Sequence, residues 1–189
     1  MFRRFKTALA ALVTFSAGLL LIAPAALADK ASGAYKLGGA WVAKVIGFPG
    51  QWSYVVAADP SGRHAAAHGS VDVGFSPSAF GCELGESDSD SPILVNIKMT
   101  GPDTAIGYSI WYALNTTEQG YSEIAYIGEV TSQIKFVARG KGEATHYFAF
   151  YLPSQDVDPE DGLPDEGETP ACIAPVPIYT VDTRLPLPE

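Results

Sequence analysis

Positive charge is scarce in this chain. Its 189 residues hold 12 Lys and Arg against 21 Asp and Glu, for a formal net charge of −9. Three of the twelve, Arg3, Arg4 and Lys6, sit at the extreme N-terminus. Affinity for a nucleic-acid backbone comes from Lys and Arg contacts to phosphate, so nucleic acid is excluded as a partner. Docking to anionic lipid is excluded for the same reason, while metal cations and basic partners stay open. Histidine is limited to His64, His68 and His146. On a strand the first two lie about 13 Å apart, too far to share one metal. Gly-x-Ser-x-Gly is absent; Ser109 and Ser122 follow Gly-Tyr but fall inside strand-like runs with no helix after them. The acids lie mostly in loops, which leaves no carboxylate pair to name for glycoside hydrolysis. The expectation is a protein that is not an enzyme. Helical periodicity is also missing after the N-terminal segment, because Gly and Pro interrupt short apolar runs rich in β-branched and aromatic residues.

The N-terminus itself reads as an export signal. Arg3, Arg4 and Lys6 precede an apolar stretch from Ala8, Pro24 ends it, and Ala26-Leu27-Ala28 has the small-x-small pattern of a cleavage site. An uncleaved membrane anchor is the alternative. Cleavage after Ala28 assigns residues 1–28 to a signal peptide and 29–189 to a single domain of 161 residues, enough for one core. It moves the formal charge from −9 to −12. The destination is the periplasm or exterior of a bacterium, with no membrane attachment afterwards. Cys82 and Cys172, the only cysteines, allow one intrachain pairing, and an oxidising compartment favours a disulfide over two buried thiols.

Nine strands can be placed: 41–46, 52–58, 63–73, 93–100, 105–114, 122–130, 133–138, 143–152 and 177–184. Asp59-Pro-Ser-Gly62 makes a turn between the second and third. In the third, Ala65, Ala67, Val71 and Val73 share one face while His64, His68, Ser70 and Asp72 share the other. In the fifth, Ile106, Tyr108, Ile110, Tyr112 and Leu114 share a face, the one expected to line an interior. Consecutive strands pair, and a meander of this length hides its edges by closing. The fold class is all-β, an antiparallel up-and-down meander of about 8–9 strands, a closed barrel first and a β-sandwich second.

Gly39-Ala40-Trp41 opening the first strand of a meander resembles lipocalin and other calycin-type barrels. That resemblance implies a Trp41 that closes one end of the barrel under an Arg from the last strand, here Arg184. Asp59-Pro-Ser-Gly-Arg63 together with the segment from Tyr151 to Asp165 also resembles exported bacterial proteins with no assigned activity.

Seven acidic residues crowd the thirteen between Asp156 and Glu168, in a loop near 154–170. This loop resembles the calcium repeats of the thrombospondin type 3 kind. Asp161, Asp165 and Glu168 fall in that pattern, and Asp156 and Asp158 each come one residue early. The resemblance implies Ca2+ on Asp156, Asp158, Asp161, Asp165 and Glu168, which offer the hard oxygens calcium takes; a solvated loop without an ion is the alternative. No other cofactor is indicated. Aromatics gather in the second half, and Tyr108, Tyr112 and Tyr147 are the candidate ligand-binding residues of a cavity, core packing being the other use of such residues. Two functions follow: an exported barrel that binds a small apolar or aromatic molecule inside, or a structural or surface-interaction protein stabilised by a disulfide and calcium.

Overall fold

A computed structural model describes residues 37–47, 49–71, 76–155, 162–165 and 167–186. Residues 1–28, read above as an export signal, lie outside the described residues, as do Asp72, Val73, Asp156, Asp158 and Asp161. Among the described residues ten strands run in chain order: β1 Gly39–Val45, β2 Gln51–Ala58, β3 His64–Val71, β4 Ser89–Asp90, β5 Ile93–Met99, β6 Thr104–Thr116, β7 Ser122–Ala138, β8 Lys141–Tyr151, β9 Cys172–Ile173 and β10 Ile178–Arg184.

Eight of them close into one antiparallel barrel in the order β1-β2-β3-β5-β6-β7-β8-β10, with β10 paired both to β8 and back to β1. The short β4 adds to β6 and β9 to β8. Closure removes the exposed edges that an open meander would present. Asp59 anchors the β2–β3 turn as expected: Gly62 N–H reaches Asp59 O, and the Asp59 carboxylate accepts from the Arg63 and His64 amides.

Two elements differ from expectation. The segments 122–130 and 133–138 are one continuous 17-residue strand, β7. The apparent break at Thr131-Ser132 is a polar residue, Ser132, that faces inward and is buried. The inward face of β6 is also the opposite one. Ala105, Ser109, Trp111 and Ala113 are buried on it, while Tyr108 on the other face is 42% exposed. The smaller residues turn inward because an eight-stranded barrel leaves room for little more than its own side chains.

The interior alternates small and large residues. Ala65, Ala67 and Ala105 share one end with Trp41, Val56 and Ile97, and Cys82, Trp111, Tyr126, Phe148 and Phe150 fill the other. Gly128 is required by this packing, since a Cβ there would fall inside the Trp111 indole ring. His64, His68, Lys98, Gln133 and Glu143 point out from the strands, interspersed with exposed apolar residues such as Val55, Leu94 and Ile106. No described helix is long and apolar enough to cross a membrane.

Candidate functional site

Between its two packed ends the barrel keeps a cavity of about 70 Å³. Trp52, Ile93, Val95, Trp111, Val130 and Phe148 supply apolar wall, and Gly69 and Gly107 leave the space that larger residues would take. Four polar side chains enter the same wall from four strands: Ser109 on β6, Ser132 on β7, His146 on β8 and Asp182 on β10. All four are buried. Such groups are costly inside a protein unless hydrogen-bonded.

Three of them belong to one continuous chain of bonds. Ser132 Oγ lies 2.8 Å from His146 Nδ1, and His146 Nε2 lies 2.9 Å from Thr180 Oγ1. Thr180 donates to Asp182 Oδ1 at 2.7 Å and Tyr54 donates to Asp182 Oδ2 at 2.6 Å. The hydrogens can be assigned by elimination. Thr180 spends its single hydrogen on Asp182, so its oxygen accepts from His146 Nε2–H. A neutral imidazole then has a bare Nδ1, which accepts from Ser132. Every donor points toward Asp182, and two hydroxyls on its two oxygens form the pattern that supports a carboxylate.

Burial sets the charges of this chain. It pushes His146 down to about 4, keeping the ring neutral under the edge-on indole of Trp52, 5.0 Å away. Burial likewise raises Asp182, and the bonds from Tyr54 and Thr180 oppose that rise without cancelling it. Tyr54 is held well above its ordinary value by burial first and by the Asp182 charge second. An imidazole at about 4 is a weak proton acceptor at neutral pH. It therefore serves Ser132 as an orienting partner far better than as a general base.

Both ends of the barrel are stoppered. At one, Trp41 donates through Nε1 to Leu37 O at 2.8 Å and stacks on Tyr54 with ring centroids 6.3 Å apart. Arg184 lies directly across the ladder from Trp41 and donates to Gly38 O. At the other end the 3-10 turn Pro77–Phe80 lays Phe80 on Phe148, centroids 4.7 Å apart. A disulfide joins Cys82 to Cys172, Cα–Cα 5.8 Å, and so ties this turn to β9. Outside the turn a groove of about 390 Å³ runs between the β1–β2 connection and Pro175–Tyr179.

The tyrosines singled out from the sequence lie elsewhere. Tyr108 and Tyr147 sit on the outer surface, 42% and 45% exposed, and do not line the cavity. Tyr112 is half-buried in an outer cluster with Ile110, Ile127 and Tyr151. Tyr108 donates to Glu129, and burial followed by the Glu129 charge pushes its pKa up to about 12. Of the five candidate metal ligands, only Asp165 and Glu168 are described. Glu168 N–H bonds to Asp165 O, and Gln155 clasps this segment through Thr169 O at 2.6 Å. Gly162 lies against the Tyr112 hydroxyl. Among the described residues no three metal-ligating side chains converge. His64 and His68 point outward from β3, and His146 faces inward away from both.

Sequence reasoning missed the buried chain altogether. The available signal was phase: Ala144, His146, Phe148 and Phe150 alternate on β8, and Ile178, Thr180 and Asp182 alternate on β10. A His or Asp in step with apolar residues is an inward polar residue.

No protein-family model matches this chain, and no curated protein matches it. The solved structure of EF1p2_mFAP2b bound to DFHBI is similar at 14% identity and a TM-score of 0.42, over 82% of this chain and 97% of that chain. A likeness that distant assigns no ligand or role.

Proposed function

We propose that this protein is a non-catalytic, exported binder that holds a small, mostly apolar molecule inside its barrel. The observation that carries the reading is the cavity itself: apolar walls into which a few oriented polar groups converge, the usual composition of a ligand site. Its volume of about 70 Å³ limits the occupant to a few heavy atoms. That is below the ~150 Å³ of an engineered cavity that takes benzene. The lipocalin-type opening at Gly39-Ala40-Trp41 supports the same reading, and the export-signal pattern read in residues 1–28 is the ground for proposing that the binder is exported.

Titration with 1-propanol, followed by NMR at the Trp52 and Trp111 indoles, tests it. Saturable shifts confined to cavity residues are expected. Gly107→Ala should weaken them, because the added Cβ would stand 3.4 Å from Ser132 Cβ and take space from the cavity. Shifts scattered over the outer surface, or none, would refute it. Dense aromatic packing around the disulfide favours a second reading, a rigid scaffold with no occupant; that outcome would leave every indole unshifted.

A further inference from the structure

The polar wall of the cavity has a direction, and that direction selects the chemistry of what it holds. Ser132 spends its only hydrogen on His146, so toward the cavity it offers lone pairs alone. Ser109 is 7% exposed, lines the same cavity and has no hydrogen-bond partner among the described residues. Its hydroxyl is free to donate and to accept.

The two serines are close neighbours. Ser109 pairs with Val130 and Gly107 with Ser132 across the β6–β7 ladder. The serines are thus diagonal on one inward face, with Cα atoms roughly 7–8 Å apart. One small polar group fits between two hydroxyls at that spacing. The Ser109 hydroxyl opens on the cavity, where an occupant can supply a hydrogen-bond partner that the surrounding side chains do not.

We infer that the cavity selects a neutral hydrogen-bonding head, an alcohol or an amide, that donates to Ser132 and accepts from Ser109. This deepens the interior-site reading above and rests on it. An alcohol meets both demands with one O–H, and an amide meets them with N–H and C=O. A carboxylate cannot donate to Ser132. It would also bring a second negative charge into a cavity that Asp182 already lines, with no cation among the lining residues to offset it.

Four probes of similar bulk decide the matter: xenon, 1-propanol, propionamide and propionate. Xenon enters apolar cavities without hydrogen bonding, so its NMR shift reports the cavity alone. Propanol and propionamide should bind saturably at neutral pH and propionate should not. Ser109→Ala, which leaves the Ser132–His146 chain intact, should weaken propanol about fivefold, the worth of one hydrogen bond, and leave xenon unchanged. If xenon enters but propionate matches propanol, or Ser109→Ala leaves propanol unaffected, the selectivity is wrong and the interior site stands. If neither xenon nor propanol enters, the interior site falls with it.

Discussion

His146 makes fold stability depend on pH over a window set by its burial. Its folded pKa is about 4, against an unfolded value of about 6.5. The unfolded chain therefore binds a proton before the folded barrel does, and acid favours unfolding. The stabilisation is intact above pH 6.5, falls as pH drops toward 4, and changes no further below that. A depression of this size corresponds to about 3 kcal/mol in full and about 2 kcal/mol by pH 5. Asp182 works in the opposite sense. Its pKa is raised in the fold, so it favours folding as acid neutralises it, and Tyr54 stays protonated throughout. Replacing His146 by Gln keeps an amide between Ser132 and Thr180 and leaves the Asp182 contribution in place. Urea unfolding of both proteins at pH 7, 6, 5 and 4 then isolates the histidine as the difference between them. Wild type should lose about 2 kcal/mol more than His146→Gln between pH 7 and pH 5. A flat difference, or an imidazole that titrates near 6.5 by NMR in the folded protein, would refute the assignment of His146 as a buried neutral link.

Two further perturbations follow from packing and covalent structure. Gly128→Ala drives a methyl into the Trp111 ring and should cost about 3 kcal/mol, the upper range for overpacking. Gly107→Ala meets only ordinary contacts and should stay within about 1 kcal/mol of wild type; equal denaturation midpoints for the two variants would show that Trp111 is not held as described. Replacing Cys82 and Cys172 by Ser reopens a loop with a sequence separation of 90. It should remove up to about 5 kcal/mol on the chain-entropy account. Cooperative unfolding at an unchanged midpoint would mean that the 3-10 turn is held by Phe80 alone.

The outline of this fold is legible in the sequence because strands announce themselves through period-2 alternation. The β2–β3 hairpin, the outward histidines of β3, the closing β10 and the barrel class all follow from that pattern and from turn residues. Cys82 and Cys172 form the one intrachain pairing that two cysteines allow. The interior is harder to read because alternation identifies two faces without saying which is inside. On β6 the bulkier face, with Tyr108 and Tyr112, is the natural choice by hydrophobicity. Volume decides otherwise: Gly107 and Ser109 must face inward so that Trp111, Phe148 and Tyr54 can share the lumen. Outward, Tyr112 finds its cover with Ile110, Ile127 and Tyr151 on the barrel's exterior.

The same reasoning explains why the strand pattern fails where it does. Ser132 looks like a gap between two strands because a serine at an inward position contradicts a hydrophobic face. A local violation of that kind is expected where a fold gives up some stability for a site. His146, Thr180 and Asp182 are the matching violations on β8 and β10, and each is harmless only because the others exist. Ser132 without His146 would leave a second unpartnered hydroxyl beside Ser109, and Asp182 without Thr180 and Tyr54 would be a bare buried charge. Residues that are unfavourable singly and satisfied together must be read as a set. No window along the chain contains that set, because closure of the barrel brings β10 against β8 and only then places Thr180 within reach of His146.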